Sequence, residues 1–206
     1  MNLTTALITA FIMSFAGNAI PFFGEAYTIY ASLLLLRLGA SPSNTLAMVI
    51  ATAVGATVSK NVSYAIGYAL RRPLRRTGAV KLIEALSNRT PLWVLTIILA
   101  AIPGLPLDDY LYIGAGAAVV SLLRLNAYVF IGKIIKSSIE IPIELLLLSS
   151  IYTVFKHSIG LSLFQVITAA VFTILSIVVF RIDWVRNYAK IQNRIPYLPK
   201  INIDNS

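Results

Sequence analysis

The sequence predicts an all-α polytopic membrane protein, and three observations lead to this fold class. Apolar residues make up 58% of the 206 residues and charged residues only 12%, at a mean hydropathy of +0.81, whereas a soluble domain carries about 25% charged residues. The apolar residues are gathered in long segments, several of which approach the roughly 20 residues that a membrane-spanning helix needs. Most of the basic residues stand between or after these segments rather than within them.

Six apolar segments are predicted to form about four transmembrane helices and two re-entrant hairpins. They cover approximately 3–17, 20–38, 44–70, 91–123, 125–154 and 161–180. Re-entrant hairpins are expected where Pro and Gly break an apolar segment, because non-helical backbone at membrane depth must be buried in protein or line a cavity. The predicted organisation is a transmembrane domain over 1–182 and a basic interfacial tail over 183–206.

Two basic clusters predict which ends face the cytoplasm. One contains Arg71, Arg72, Arg75, Arg76 and Lys81, and the other contains Arg181, Arg186, Lys190, Arg194 and Lys200. Because they flank apolar segments, we assign them to the positive-inside rule and not to nucleic-acid binding. Counting crossings from these clusters predicts a multi-pass protein of the cell membrane with cytoplasmic N- and C-termini. The first segment has no basic flank and is predicted to be a retained helix, not a cleaved signal peptide.

The two predicted hairpins resemble each other and are expected to enter from opposite faces. Their predicted breaks lie at Pro21 and Gly24 in the first hairpin, and at Pro103, Gly104 and Pro106 in the second. Each contains Ile-Pro, then a carboxylate and a tyrosine, and later Leu-Arg-Leu. This pattern favours an inverted repeat, an arrangement that places transporter sites at the repeat interface. Chance similarity between apolar segments is the alternative.

Three acidic residues in the breaks are candidates for binding or for proton coupling. Glu25 stands in an apolar and aromatic run, and a carboxylate at membrane depth usually faces a cavity; the alternative is a place at the rim of a short loop. Asp108 and Asp109 stand in the second break, where we expect one of them to cap the following helix and the other to face the cavity. The N-terminus of a helix that begins inside the membrane would also attract an anion such as phosphate.

Basic and acidic residues within the third and fifth segments extend this candidate site. Lys60 can snorkel to the interface or pair with a carboxylate or phosphate. Its segment also carries small residues at every fourth position, which favours close helix packing: Ala51, Gly55, Ser59, Ser63 and Gly67. The fifth segment places Lys133, Lys136, Glu140 and Glu144 on one helical face, with Pro142 between the two glutamates. They form either a polar path or a self-neutralising structural network.

Other kinds of chemistry find no support in the sequence. The chain contains no cysteine, which excludes disulfides, thiol nucleophiles and thiolate metal sites. We find no metal-ligand spacing, no nucleotide-binding loop and no pairing of a nucleophile with a base. The sequence therefore predicts neither an enzyme nor a metal site or cofactor.

The order of these features resembles the DedA family, also called the SNARE-associated or VTT-domain family. The resemblance covers about residues 3–180. It rests on the stretch from Gly17 to Glu25, on Gly55 to Tyr68, and on Pro103 to Asp109 with Gly114, Gly132 and Lys133. The paired aspartates are more similar to archaeal-type members. Of the acids and arginines that the resemblance implies, only the first-loop acid has a direct counterpart, Glu25; the loop arginines are missing, and Arg124, Lys60 or Lys133 are candidates to supply their charge.

The resemblance implies a flippase for a lipid-linked phosphate, such as a polyprenyl phosphate carrier lipid or a phospholipid, with possible proton coupling. The implied partners are a membrane lipid and protons; the oligomeric state stays open. Two alternatives remain at this point. Glu25, Asp108, Glu140 and Glu144 also suit a proton-coupled exporter of small cations or drugs, and a non-transporting membrane assembly protein is the second alternative. A cation site requires acids without nearby bases, whereas a phosphate site requires Lys60 or Arg124 close to the hairpin tips.

Overall fold

The computed structural model describes residues 1–21, 27–103, 107–157, 181–182 and 184–194, which form helices joined by short connections. The helices are α1 Leu3–Ala19, α2 Tyr27–Leu38, α3 Pro42–Ala69, α4 Arg71–Leu74, α5 Gly78–Leu86, α6 Thr90–Ala101, α7 Leu107–Ala117, α8 Leu122–His157 and α9 Trp184–Arg194. The described part of the chain contains no strand. The all-α fold class is therefore confirmed for these residues.

Several helix ends follow directly from local sequence. The side chain of Asn2 accepts a hydrogen bond from the Thr5 amide at 2.8 Å and caps α1, as a short polar residue commonly does at this position. Ser41 caps α3, whose first residue is Pro42, a position where proline costs no hydrogen bond. Gly39, with φ of +97°, follows the end of α2 and adopts a backbone conformation that glycine tolerates best.

The helices α1–α3 and α6–α8 form two units of the same construction. Each unit is a broken hairpin followed by a long helix. In the first unit α1 and α2 lie side by side, with Gly17 next to Tyr27, and α3 follows with 28 residues. In the second unit the hairpin is α6 and α7, and α8 follows with 36 residues. The first arm of each hairpin packs on its own long helix: Ser14 Oγ donates to the Thr52 carbonyl at 2.7 Å, and the Trp93 and Tyr128 rings stack at 5.1 Å.

The second arm of each hairpin contacts the long helix of the other unit. Thus α7 packs on α3, and α2 packs on α8. The long helices α3 and α8 also touch and run antiparallel, because Thr52 contacts Ser137 at 3.4 Å while Asn61 contacts Asn126 at 3.0 Å. The two hairpins therefore reach toward each other from opposite ends of the bundle.

Glycines permit the closest helix crossing. A Cβ at Gly67 of α3 would overlap the backbone of Ile113 in α7, and a Cβ at Gly116 would overlap the backbone of Tyr64. Gly55, Ser59 and Ser63 of the predicted small-residue stripe are also buried. The stripe thus lets α3 pack against neighbouring helices, as small residues do at close helix contacts.

The bundle has an apolar core, but it also exposes large aliphatic residues at helical spacing and buries several charged residues. On α8 the residues Ile131, Ile135, Ile139, Ile143 and Leu147 form one row, each 41–49% exposed. By contrast Lys60 and Lys133 are 1% exposed and Asp108 and Asp109 are fully buried. Lysine and aspartate are almost never fully buried unless they are paired.

One described helix, Pro42–Ala69, is both long and apolar enough to cross a membrane, with a mean hydropathy of 1.3 over its best window. The pair α5 and α6 would make a second candidate if it is counted as one span, but it is bent by 117°. The helices α1 and α2 are apolar but shorter. Since a buried core helix of a soluble protein meets the same criteria, length and apolarity alone are weak evidence for membrane insertion.

The structure differs from the predicted topology at the N-terminus. The first apolar segment, expected to be a separate span, is α1, and α1 is one arm of the hairpin whose tip follows Ala19. Pro21 therefore marks the tip of the hairpin rather than its start. Because α1 and α2 are antiparallel and a short connection joins α2 to α3, Asn2 lies near the start of α3. This is the end away from α4 and α5, whereas the sequence predicted both termini on one side.

The described residues of the two basic clusters lie at the same end of the bundle. Residues 71–90 form α4 and α5, which follow the C-terminal end of α3. The tail helix α9 packs on α5, and Tyr188 joins the apolar cluster around Val80 and Leu86. The predicted sixth segment, 161–180, and the end of the tail, 195–206, lie outside the described residues.

Candidate functional site

Four charged side chains meet where α3, α7 and α8 converge, at the tip of the second hairpin. Lys60 Nζ lies 2.7 Å from Asp109 Oδ1 and 3.7 Å from Asp108 Oδ2, and Lys133 Nζ lies 2.8 Å from the same Asp108 oxygen. Ser63 Oγ donates to Asp109 Oδ1 at 2.8 Å. We call Lys60, Asp108, Asp109 and Lys133 the buried lysine–aspartate cluster.

The cluster is neutral as a set and connects three helices. Burying an unpaired charge costs several kcal/mol, so each member depends on its partners. Lys60 belongs to α3, the two aspartates to the first turn of α7, and Lys133 to α8. Carboxylates in a first turn also interact favourably with the helix dipole. The structure places both aspartates against lysines of neighbouring helices.

The cluster lies well inside the bundle. Lys60 is nine residues from the C-terminal end of α3, which corresponds to about 13–14 Å along the helix axis. Two polar layers lie nearby: Thr52 contacts Ser137 at 3.4 Å on one side, and on the other Asn126 Nδ2 donates to Asn61 Oδ1 at 3.0 Å. The long helices are therefore joined by polar contacts at three levels, with the charged cluster at the central one.

A second polar group continues along α8 toward the first hairpin. Lys136, 3% exposed, lies 3.8 Å from Glu140. Glu144 accepts hydrogen bonds from Thr28 Oγ1 at 2.6 Å and from Ser32 Oγ at 2.7 Å. The predicted charged face of α8 is therefore real: from Lys133 to Glu144 it extends about 16 Å along the axis and faces α7 at one end and α2 at the other.

The hydroxyls of α2 provide a direct test of this second group. Thr28→Val together with Ser32→Ala removes both donors to the half-buried Glu144, and we expect a loss of about 1–2 kcal/mol in unfolding free energy. Thr9→Val is the matched control, since Thr9 is only partly buried and its hydroxyl donates to the Thr5 carbonyl within α1. Denaturant unfolding in a fixed detergent measures both. Equal stability of the double variant and the control would contradict the assigned hydrogen bonds.

Other predicted site residues are placed apart from the cluster or outside the described residues. Arg124 is exposed in the first turn of α8, nine residues before Lys133, and does not join the cluster. Pro21 and Pro103 each lie in a turn directly after the first arm of their hairpin. Glu25, Gly24, Gly104 and Pro106 fall outside the described residues.

Sequence reasoning missed the hydroxyl groups that complete the site. Ser63 was assigned only to helix packing, although it also donates to Asp109. Thr28 and Ser32 attracted no attention because hydroxyl residues are common in apolar helices and carry no charge. The available signal in the sequence was their spacing of four residues, which places both hydroxyls on one helical face. In the structure this face lies opposite the acids of α8.

The fold and the site define a class of protein: a helical bundle that exposes a row of aliphatic residues on α8 and holds an interior charged network between two opposed broken hairpins. Within the described ranges, no group of three or more metal-ligating side chains lies together. No family model matches the chain, and searches of curated proteins and of solved structures find no match either. The functional argument therefore depends on the site itself.

Proposed function

We propose that the protein is a multi-pass membrane transporter that moves a lipid-linked phosphate across the cell membrane. The observation that supports this most strongly is the pair Lys60 and Lys133, held by aspartates at a hairpin tip inside an otherwise apolar bundle. Ammonium groups suit a phosphate headgroup, and the apolar exterior suits the lipid around it. Membership of the DedA family, which the sequence resembles, is part of the same proposal.

The membrane location is inferred from the buried charged cluster and from the exposed aliphatic row of α8. Charges within membrane segments face the protein interior and pair with one another, which fits the lysine–aspartate cluster, and the exposed aliphatic row of α8 fits contact with lipid. The long helices α3 and α8 would span the bilayer. The two hairpins would be re-entrant and would enter from opposite faces as an inverted repeat, an arrangement found in many transporters.

The orientation follows from the basic residues. The end of the bundle formed by α4, α5 and α9 would face the cytoplasm under the positive-inside rule. The N-terminus would then lie on the other side, since α1 begins at the opposite end.

The geometry favours a phosphate over a small cation. A cation site needs carboxylates without nearby bases, but each cluster aspartate contacts a lysine at 2.8 Å or less. A phosphate site needs a basic residue close to a hairpin tip, and Lys60 meets that condition. Arg124, the other candidate, does not.

The proposed mechanism is an exchange of partners within the cluster. In the resting state the aspartates hold both lysines in place. An arriving phosphate would replace aspartate oxygens at the ammonium groups, and the negative charge that it adds would be offset by a proton on one displaced aspartate. Proton coupling thus follows from the neutrality of the cluster. The acids of α8 would extend the polar path toward the first hairpin.

Reconstitution into liposomes tests the proposal. The probe is a labelled polyprenyl phosphate in one leaflet, with and without an imposed proton gradient. We expect wild type to move the probe, and Glu25→Ala to abolish movement while the protein remains folded, because Glu25 is the predicted acid of the first hairpin. Glu84→Ala is the matched control, since Glu84 is 51% exposed on α5.

Either of two results would contradict the proposal. Normal movement of the labelled lipid by the Glu25→Ala variant would show that the first-hairpin acid has no role in transport. No movement by wild type under any gradient would contradict transport of this lipid class and favour the assembly protein or the cation exporter.

A further inference from the structure

The end of the bundle at α4, α5 and α9 carries a basic surface that the transport site does not use. Its exposed basic residues are Arg71, Arg72, Arg75, Arg76, Arg89, Arg186 and Lys190. Among the described residues of these helices and the turns between them, Glu84 is the one carboxylate. Glu84 lies 3.1 Å from Arg75, and an exposed pair of this kind holds little stabilising energy. We call this surface the basic platform.

The geometry places the platform across the end of the bundle. The α5 axis is bent by 117° from that of α6, and α6 runs along α8. The helix α5 therefore lies crosswise to the long helices. Its apolar side, with Val80 and Leu86, is buried, and α9 packs against it, so the charged sides face outward.

The platform begins where the apolar exterior ends. Tyr68 and Leu70 are 45% and 49% exposed at the end of α3, and the first arginines follow directly. The Arg71 guanidinium stacks on the Tyr68 ring at 4.3 Å from its centroid. An aromatic ring and arginines at this boundary are typical of the headgroup layer of a membrane.

We propose that the basic platform binds the headgroups of anionic phospholipids in the leaflet that it faces. The charge is complementary, and the crosswise α5, with α9 packed on it, presents this charge at the end of the bundle. Basic residues near an anionic leaflet each contribute to such binding, within a Debye length of the surface. The inference rests on the membrane location in the proposed function and does not depend on transport.

Native mass spectrometry of the full-length protein in detergent tests this inference. The probe is an equimolar mixture of phosphatidylglycerol and phosphatidylcholine. We expect wild type to retain phosphatidylglycerol preferentially, and the variant R71Q/R72Q/R75Q/R76Q to lower that preference by about fivefold or more. The preference should also fall when the incubation salt is raised, because exposed charges are screened.

Two matched variants keep the test specific. R71K/R72K/R75K/R76K retains the charge and should retain the preference, whereas R37Q removes an exposed arginine at the other end of the bundle and should change nothing. Thermal unfolding checks that each variant is folded. Equal binding of the two lipids by wild type would overturn the proposal and favour a protein partner for the platform. An undiminished preference in the glutamine variant would show that the lipid does not bind at the basic platform. Loss of the preference in R37Q would also contradict binding at the platform. Because the measurement involves no translocation, its failure is distinguishable from failure of the transport proposal.

Discussion

Lys60→Met is expected to destabilise the protein by about 3–5 kcal/mol and to abolish transport. Methionine keeps most of the side-chain volume but removes the ammonium group that contacts both aspartates. Asp109 then retains Ser63 but loses its lysine, inside a site that is almost inaccessible to solvent. Removing one partner of a buried ion pair leaves an uncompensated charge, which is more costly than removing both partners. The measurements are denaturant unfolding in detergent and translocation in liposomes.

The double variant Lys60→Met with Asp109→Asn separates the structural effect from the functional one. It removes one positive and one negative charge, so we expect it to recover much of the lost stability. Transport should remain absent, because one of the two lysines that bind the phosphate is still missing. Lys190→Met is the surface control and should change stability by no more than about 0.5 kcal/mol. Full transport by either Lys60 variant would exclude a role for this lysine in substrate binding.

Gly67→Ala is expected to lower the unfolding free energy by about 1–3 kcal/mol, through overpacking at the crossing of α3 and α7. The added Cβ would overlap the backbone of Ile113, and a backbone segment within a helix cannot move aside as a flexible side chain can. If α3 and α7 move apart to relieve this overlap, Ser63 and Lys60 of α3 would also move away from α7. Transport is therefore expected to fall together with stability.

Gly17→Ala is the matched control for this glycine. Its new Cβ would meet Tyr27 at an ordinary distance of 3.9 Å, and alanine is favoured over glycine within a helix by about 1 kcal/mol. We expect Gly17→Ala to be neutral or stabilising under the same unfolding conditions. If Gly67→Ala were equally harmless, the close crossing of α3 and α7 would be wrong.

The sequence predicted those parts of the fold that depend on local pattern. The small-residue stripe of α3 predicted a closely packed helix, and the spacing of Lys133, Lys136, Glu140 and Glu144 predicted one charged helical face. Both predictions need only the period of the α-helix. The breaks at Pro21 and Pro103 were also placed correctly, because proline ends a helix for steric reasons.

The sequence could not decide which helices meet. From the sequence alone, Lys60 can either snorkel to the interface or pair with an acid, because its partners Asp108 and Asp109 lie 48 and 49 residues away along the chain, in α7. The first apolar segment was assigned to a span because, by length and composition, one arm of a hairpin looks like a short span. Only the packing of α1 beside α2 identifies it as an arm. For the same reason Arg124 remained a candidate until its exposed position on α8 was known.

Labelling of single cysteines in sealed membrane vesicles tests the central claim most directly, and the cysteine-free chain is a ready background. Ala40→Cys and Asn88→Cys lie in exposed connections at opposite ends of the bundle, and Ile139→Cys lies in the exposed aliphatic row of α8. A membrane-impermeant maleimide should label Ala40→Cys and Asn88→Cys from opposite sides, and should not label Ile139→Cys although that residue is 41% exposed. Labelling of Ile139→Cys by the aqueous reagent, or labelling of the other two from the same side, would contradict a membrane bundle with opposed hairpins.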